Sequence, residues 1–383
     1  MRIALFSEVY WPMVSGVGVT LRNLTGALQA RGHQVRVYTA TYKAADGAPI
    51  PPEVHQSPSV PLFLYPDVQW AFPRGRDVVE ELAGFRPDVV HVATEFSMGL
   101  VGLKAARTLG IPLVASAHTD YEKYVSRYRM EWAWRMGWTY LKWFYGKTQR
   151  VLCPSQVYEQ HLRSRGIQHT GVWTRGIDPV AFHPRHRDQG YRDLFGVGPD
   201  DLLVTYVGRL AAEKDLGLLL DSWAALGERR GKAQLVLVGQ GPMAKEISAR
   251  KVPGVHLTGL LTGSDLSTAY ASADIFAFPS TTETFGNVVL EGMASGLASV
   301  VAGAGGMLDF CQDGTNSLLV RPGDRTHLTE QLGRLIEDAE LRRTLAQGGL
   351  ATAHGRRWDA IWDGVTRVYD EVAGTSRSLV QAA

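Results

Sequence analysis

Pro279-Ser-Thr-Thr-Glu-Thr-Phe-Gly-Asn-Val-Val-Leu-Glu-Gly-Met-Ala-Ser-Gly296 follows an apolar run, Asp274-Ile-Phe-Ala-Phe278, and the two together set the fold. The run has the length and unbroken apolarity of a buried parallel strand, which Pro279 and Ser280 stop. A short polar loop carrying Glu283 comes next, and Phe285-Gly286-Asn287 opens a helix that heads for Gly296. A helix start just past a strand end, with Gly allowing close backbone approach, is a ready anion site. Its unbonded amides and the positive end of the helix dipole both favour phosphate. Glu291 lies about five residues into the helix, roughly 7 Å along its axis. That is too far to touch the same phosphate but near enough for the hydroxyls of an attached sugar. Glu283, before the helix, is expected on the opposite side of the phosphates. Two carboxylates flanking a diphosphate suit a nucleotide-sugar. Most Glu residues are simply solvated, and spacing alone leaves that reading open.

Outward from this stretch, short apolar runs alternate with helical patterns. Ile3–Phe6, Val35–Thr39, Val89–Val92, Leu113–Ala117, Val151–Cys153 and Gly171–Thr174 form one set. Leu202–Val207, Gln234–Val238, Val255–Leu257, Ile275–Phe278, Ser299–Ala302 and Leu318–Val320 form another. Alternation of this kind predicts an α/β fold with parallel sheets, and two sets predict two Rossmann-like domains. The boundary is expected near Arg175-Gly-Ile-Asp-Pro179, giving domains 1–176 and 177–357. Ala44–Pro61, rich in Pro and without periodicity, reads as a surface loop. Trp358, Ile361, Trp362, Val365 and Val368 recur at helical spacing, so a C-terminal amphipathic helix over about 358–383 is expected, fraying over its last ten residues.

Length and composition narrow the class. A chain of 383 residues exceeds one ordinary core. A formal net charge of +2 argues against a nucleic-acid partner. Cys153 and Cys311 are the only cysteines, too few for a disulfide framework or a cysteine metal site, and fit a cytoplasmic setting. The start, Met1-Arg-Ile-Ala-Leu-Phe6, enters a strand rather than a signal peptide, and no run reaches a membrane span.

Other segments carry chemistry of their own. Val14-Ser-Gly16-Val17-Gly18 is a Gly-rich turn between the first strand and a helix, where doubly wound folds meet phosphates or substrates. It lacks the full dinucleotide fingerprint, and a tight turn explains its glycines equally well. Ser116-Ala-His118-Thr119-Asp120 stands at the C-terminal end of a strand, where a neutral imidazole can bond a sugar hydroxyl or merely serve the fold. Tyr206-Val-Gly208-Arg209 with Lys214 either offers a planar fork and a point charge to a leaving diphosphate or leaves two cations solvated at the surface, the usual fate of such residues. Gly239-Gln-Gly241-Pro242 falls short of an NAD fingerprint because Ala244 takes the third Gly place. Gly146-Lys147-Thr148 imitates the end of a P-loop, but Leu141 stands where that motif needs Gly. Tyr121–Arg150 holds Lys123, Arg127, Arg129, Arg135, Lys142, Lys147 and Arg150 against two acids, with Trp132, Trp134, Trp138 and Trp143 among them. Such a segment either lies on an anionic membrane or packs its rings inward and leaves its cations solvated.

Glu283-Thr-Phe-Gly-Asn-Val-Val-Leu-Glu291 resembles the Glu-x7-Glu signature of retaining glycosyltransferases of the family 4 type, and the likeness extends through Met293-Ala-Ser-Gly296. Gly208-Arg209-Leu with Glu213-Lys214 resembles the same family's phosphate-gripping element, and His118-Thr-Asp-Tyr121 its donor-sugar contact. The resemblance implies a GT-B architecture, in which two Rossmann-like domains face a central cleft that closes on the donor. It makes residues 1–176 the acceptor side, residues 177–357 the donor side, and the C-terminal helix a segment crossing back to the first domain. It assigns Glu283, His118, Arg209 and Lys214 to catalysis. Gly16, Gly18, Gly208, Gly239, Leu260, Phe285, Gly286, Asn287, Val288 and Glu291 fall to donor binding, with Glu291 on the ribose diol. Ala302-Gly-Ala-Gly-Gly306 would shape the wall opposite the donor.

No Asp-x-Asp occurs, so neither metal nor cofactor is expected and the nucleotide-sugar enters as substrate. Within the family the pattern looks most like GDP-mannose-dependent α-mannosyltransferases, acting on a lipid or glycan acceptor at the cytosolic face of a membrane. A sulfoquinovosyl or glucosyl transferase using a UDP-sugar is the nearest alternative. A nucleotide-sugar epimerase and a non-catalytic sugar-nucleotide binder are rivals of other classes. Asp309, Ala298, Gly292 and Ser317 depart from the family's commoner Glu, Pro, Ala and Gly, which bears on donor positioning rather than on the reacting atoms.

Overall fold

Strands that read as near-continuous apolar runs have no face to offer water, and Leu203–Val207, Ile275–Phe278 and Ala298–Ala302 are accordingly buried at every position, Thr205 and Ser299 included. The computed structural model describes residues 1–13, 15–42, 49–62, 65–122 and 131–381, with backbone alone at 65–67, 131–134 and 375–381. The chain divides into two units, residues 1–174 with 359–383, and residues 175–358.

The first unit runs β1 (Arg2–Ser7), α1 (Gly16–Ala30), β2 (Gln34–Ala40), β3 (Val54–Ser57), β4 (Ser59–Leu62), β5 (Tyr65–Ala71), α2 (Gly75–Phe85) and β6 (Val89–Val92). It continues with α3 (Ser97–Leu109), β7 (Leu113–Ser116), α4 (Glu131–Tyr145), β8 (Arg150–Cys153), α5 (Gln156–Ser164) and β9 (Thr170–Val172). Seven strands form a parallel sheet in the order β3-β2-β1-β6-β7-β8-β9, and β4 and β5 pair antiparallel beside it. Part of the stretch expected as a loop at 44–61 is therefore strand. β3 lies at the sheet edge, where only Val54 is buried, so it shows none of the apolar run that marks the other strands.

The second unit runs α6 (Gln189–Asp193), β10 (Leu203–Val207), α7 (Leu216–Ala225), β11 (Gln234–Val238), α8 (Ala244–Arg250), β12 (Val255–Gly259), α9 (Gly263–Ala271) and β13 (Ile275–Phe278). It ends with α10 (Asn287–Ala294), β14 (Ala298–Ala302), β15 (Leu318–Val320), α11 (Arg325–Glu337) and α12 (Ala339–His354). Its six strands are parallel in the order β12-β11-β10-β13-β14-β15. Both sheets thus reverse their winding beside their first strand, between β1 and β6 and between β10 and β13. Ligands of open α/β sheets bind at the carboxyl ends of the strands at such a reversal.

Beneath the second reversal lies an ion pair. Arg192 is fully buried and donates to Asp274 Oδ2 at 2.9 Å and to the carbonyls of Ser272 and Asp201 at 2.8 and 2.6 Å. Asp274 Oδ2 also accepts the amide of Leu203 at 2.8 Å, which ties the start of β10 to the start of β13. The last helix, α13 (Trp358–Gln381), buries Trp362, Val365, Tyr369, Val372 and Ala373 along one face, and its residues from 359 onward belong to the first unit. It runs on to Gln381 instead of fraying from Gly374, because a helix anchored by those buried turns extends at one hydrogen bond per added residue. None of the described helices is long and apolar enough to cross a membrane.

Candidate functional site

The second unit gathers most of the expected site residues at the carboxyl edge of its sheet. β10 ends in Gly208-Arg209, and a short turn at Ala212–Lys214 brings Lys214 back over the strand ends. β13 ends in Pro279-Ser280, and its loop carries Glu283. Lys214 Nζ lies 2.5 Å from Glu283 Oε1, both side chains being about one-sixth exposed or less, at 14% and 17%. Ser280 Oγ donates to the same carboxylate oxygen at 2.9 Å. Lys214, expected on the diphosphate, and Glu283, expected on the donor-sugar hydroxyls, are thus in direct contact with each other. Opposite charges at that distance form a charge-assisted hydrogen bond.

The loop that holds Glu283 is set by close backbone packing. The Gly306 amide donates to the Glu283 carbonyl at 2.9 Å, and a Cβ at Gly306 would lie 2.0 Å from the Thr284 carbonyl oxygen. The Gly303–Gly306 turn, expected to form a wall opposite the donor, thus buttresses the Glu283 loop itself. A similar contact explains Gly239, where a Cβ would fall 2.0 Å from the Gly208 carbonyl oxygen. Removing side chains there lets the loops after β10 and β11 stack. Leu260, just past β12, stands 48% exposed at the same edge.

α10 begins at Asn287 behind Gly286, whose φ of +95° suits glycine. The Phe285 ring turns into the core against Phe310, at 5.1 Å between centroids, so the backbone is the part left at the helix start. Asn287 Oδ1 is buried and without a hydrogen-bond partner. One turn on, Glu291 Oε2 accepts the Tyr270 hydroxyl at 2.8 Å, and that hydroxyl also lies 3.2 Å from the Val288 carbonyl. Burial raises the Glu291 carboxyl from 4.5 to about 7, and the Tyr270 hydrogen bond works against that rise. Arg209, partly buried, follows Gly208 directly.

The remaining expected residues belong to the first unit. Gly16 and Gly18 open α1, where the Ser15 side chain accepts the Gly18 amide at 3.0 Å, so the cap already uses that donor. Val14, of the same turn, lies outside the described residues. His118 follows β7, is 8% exposed, and places Nε2 2.8 Å from Ser116 Oγ. The reversal of this sheet carries two acids that were not foreseen. Glu8 accepts from Met98 N at 2.5 Å and from Ser97 Oγ at 3.1 Å, capping α3. Glu95 accepts the hydroxyls of Tyr121, at 2.8 Å, and of Tyr145. Burial raises both carboxyls, Glu95 to about 7. Both follow the ends of β1 and β6, so the reversal rule would have found them.

In the basic aromatic segment, α4 buries Trp138, Phe144 and Tyr145 and exposes Arg135, Met136, Lys142 and Trp143. Lys123, Tyr124, Arg127 and Arg129 lie outside the described residues, as do the side chains of Trp132 and Trp134. Among the described residues no three His, Cys, Asp or Glu side chains converge as a metal site would require.

Ser280 and Tyr270, which hold the two glutamates, escaped the sequence reading. Ser280 sits three residues before Glu283 and was legible in principle, whereas Tyr270 carries no local signal.

Residues 14–180 match the model of Glycosyltransferase Family 4, and residues 201–338 that of Glycosyl transferases group 1. The chain is 32% identical over 369 residues to a sulfoquinovosyl transferase of Arabidopsis thaliana, covering 94% of this chain and 71% of that one. It is 32% identical over 389 residues to a GDP-mannose-dependent alpha-mannosyltransferase of Mycobacterium tuberculosis, covering 100% of this chain and 99% of that one. A sucrose-phosphate synthase of Thermosynechococcus elongatus shares the fold, with a TM-score of 0.78 at 22% identity and full coverage of both chains. The chain belongs to the family 4 glycosyltransferases of GT-B fold and is a hexosyltransferase.

Proposed function

We propose that this enzyme transfers mannose from GDP-mannose to a hydroxyl of a lipid or glycan acceptor, with retention at the anomeric carbon and without a catalytic metal. The observation that carries the chemistry is the Lys214–Glu283 contact at the reversal of the second sheet, beside the start of α10. On this reading the donor diphosphate takes Lys214, Arg209 and the α10 amides, and Glu283 is released to the sugar hydroxyls. Glu291 accepts the ribose diol, and Leu260 and Gly239 border the base. His118 bonds a sugar oxygen. The bond from the anomeric carbon to the phosphate oxygen breaks as the acceptor oxygen bonds to the same face. The acceptor's proton passes to the departing phosphate oxygen. Positive groups fixed where that charge develops supply the rate enhancement.

The end-to-end match to the mycobacterial mannosyltransferase supports the choice of donor. An equal identity to a sulfoquinovosyl transferase favours, as second reading, a UDP-sugar-dependent glycolipid transferase. Purified enzyme offered GDP-mannose or UDP-glucose, with and without lipid acceptors, separates the two. Transfer only from the UDP-sugar would replace the first reading by the second. Glu283→Ala should cut transfer by at least about 100-fold with the melting temperature nearly unchanged. Near-normal turnover in that variant would remove Glu283 from the site.

The exposed Arg135, Met136, Lys142 and Trp143 support contact between α4 and an anionic membrane. Vesicles containing phosphatidylserine should retain the enzyme, and Lys142→Glu should weaken that retention. Equal sedimentation with neutral and anionic vesicles would argue against the contact.

A further inference from the structure

Four polar side chains stand in file through the core of the first unit and end on His118. Tyr369, on α13, sets its hydroxyl 2.6 Å from Nδ1 of His91. His91, on β6, sets Nε2 2.8 Å from Oγ of Ser116. The same oxygen, at the end of β7, lies 2.8 Å from Nε2 of His118. Trp173 packs edge-on against the His118 ring at 5.6 Å and also lies 5.9 Å from the His91 ring. Tyr369, His91 and Ser116 are at most 1% exposed, so each of their protons must find its acceptor inside the file.

Proton counting fixes the direction of every bond. Among the described residues, His91 Nδ1 is the only hydrogen-bond partner of the Tyr369 hydroxyl, so the phenol donates to it. Burial pushes the His91 imidazolium down to about 3, leaving a neutral ring with one N–H. With Nδ1 accepting, that proton sits on Nε2 and is donated to Ser116. The Ser116 oxygen has then received one hydrogen and has one to give, and its remaining neighbour is Nε2 of His118. His118 accepts there and must carry its own proton on Nδ1. An imidazolium at His118 would drive the file backwards and leave the phenol hydrogen without an acceptor.

We propose that Tyr369, His91 and Ser116 are positioning residues that hold His118 as the neutral tautomer protonated on Nδ1, so that it meets the sugar as a hydrogen-bond donor. The inference rests on the proposed contact between His118 and the substrate. It gives the C-terminal helix a part in the chemistry, because the first proton in the file is supplied from α13.

The test uses the full chain with 15N-labelled histidine. Long-range proton–nitrogen NMR distinguishes a protonated from a bare ring nitrogen, and His118→Ala identifies the resonance by its loss. Wild type should show His118 protonated on Nδ1 and bare on Nε2. Ser116→Ala should shift the ring toward the Nε2-protonated form and lower kcat/KM by about tenfold, the worth of one ordinary hydrogen bond. Ser116→Thr keeps the hydroxyl and should restore both. A wild-type His118 protonated on Nε2 overturns the proposal, and so does an unchanged tautomer in Ser116→Ala. If Ser116→Ala fails to fold, the wild-type and Ser116→Thr spectra still decide. Full transfer by folded His118→Ala would overturn the substrate contact instead, whatever the tautomer measured.

Discussion

At the reversal of the first sheet stand Glu8 and Glu95, and at that of the second stand Arg209, Lys214 and Glu283. The topology at the two edges is the same, strand ends diverging above the first strand of each sheet. In the first unit the acids are buried, 1% and 3% exposed, and every contact described for them goes to the unit's own amides and hydroxyls. In the second unit the acid is partly open and holds a cation, Lys214, on a four-carbon stem. The same place in a parallel sheet thus occurs twice, and the side chains at the strand ends decide whether it is closed by the fold's own hydrogen bonds or left partly open.

The contrast sharpens at the other end of β13. Asp274 there does for the second unit what Glu8 does for the first, and Asp274→Ala would leave Arg192 buried without its carboxylate. Urea unfolding should show a loss of about 3–5 kcal/mol. A loss below about 1 kcal/mol would mean that the surrounding carbonyls alone hold the guanidinium. Next comes Gly306→Ala, whose Cβ must displace the Thr284 carbonyl. Transfer should fall about 100-fold, because a shift of about 1 Å at a catalytic group costs that much. Unchanged kinetics would show that the Gly303–Gly306 turn does not position Glu283.

The smallest expected effect compares the units directly. Burial raises Glu95 and Glu291 to about 7 from an ordinary 4.5, so the folded chain keeps protons that the unfolded chain releases. Their contribution is full below about 4.5 and is lost as pH rises through 7. Glu95→Gln and Glu291→Gln should each flatten the decline in stability across that window, and the double variant should flatten it most. An unaltered slope in either variant would return that carboxyl to its ordinary range.

The central strands of the second sheet, β10, β11, β13 and β14, were legible because each is a mostly apolar, buried run of four or five residues. β3 was not, since His55, Gln56 and Ser57 alternate no apolar face. The charged types at the site could be picked out from their loops, but not their partnership. Lys214 and Glu283 stand 69 residues apart, and His91 and Tyr369 are separated by 278. Local spacing reports faces of helices and strands, whereas contacts of that range are decided by how the sheet winds. Ring burial on α4 fell between these cases. Helical spacing sets Trp138 and Trp143 on different sides, but which of them goes inward shows only in the structure, where Trp138 is buried and Trp143 exposed.

An ammonium and a carboxylate that already hold each other make a grudging host. On the proposed function, a stray phosphate would have to pull Lys214 off its partner and strand Glu283, and a free sugar would have to do the reverse. On that same reading, only a molecule that brings an anion and hydroxyls on one scaffold would satisfy both halves at once, and the ion pair would disfavour fragments that match one part alone.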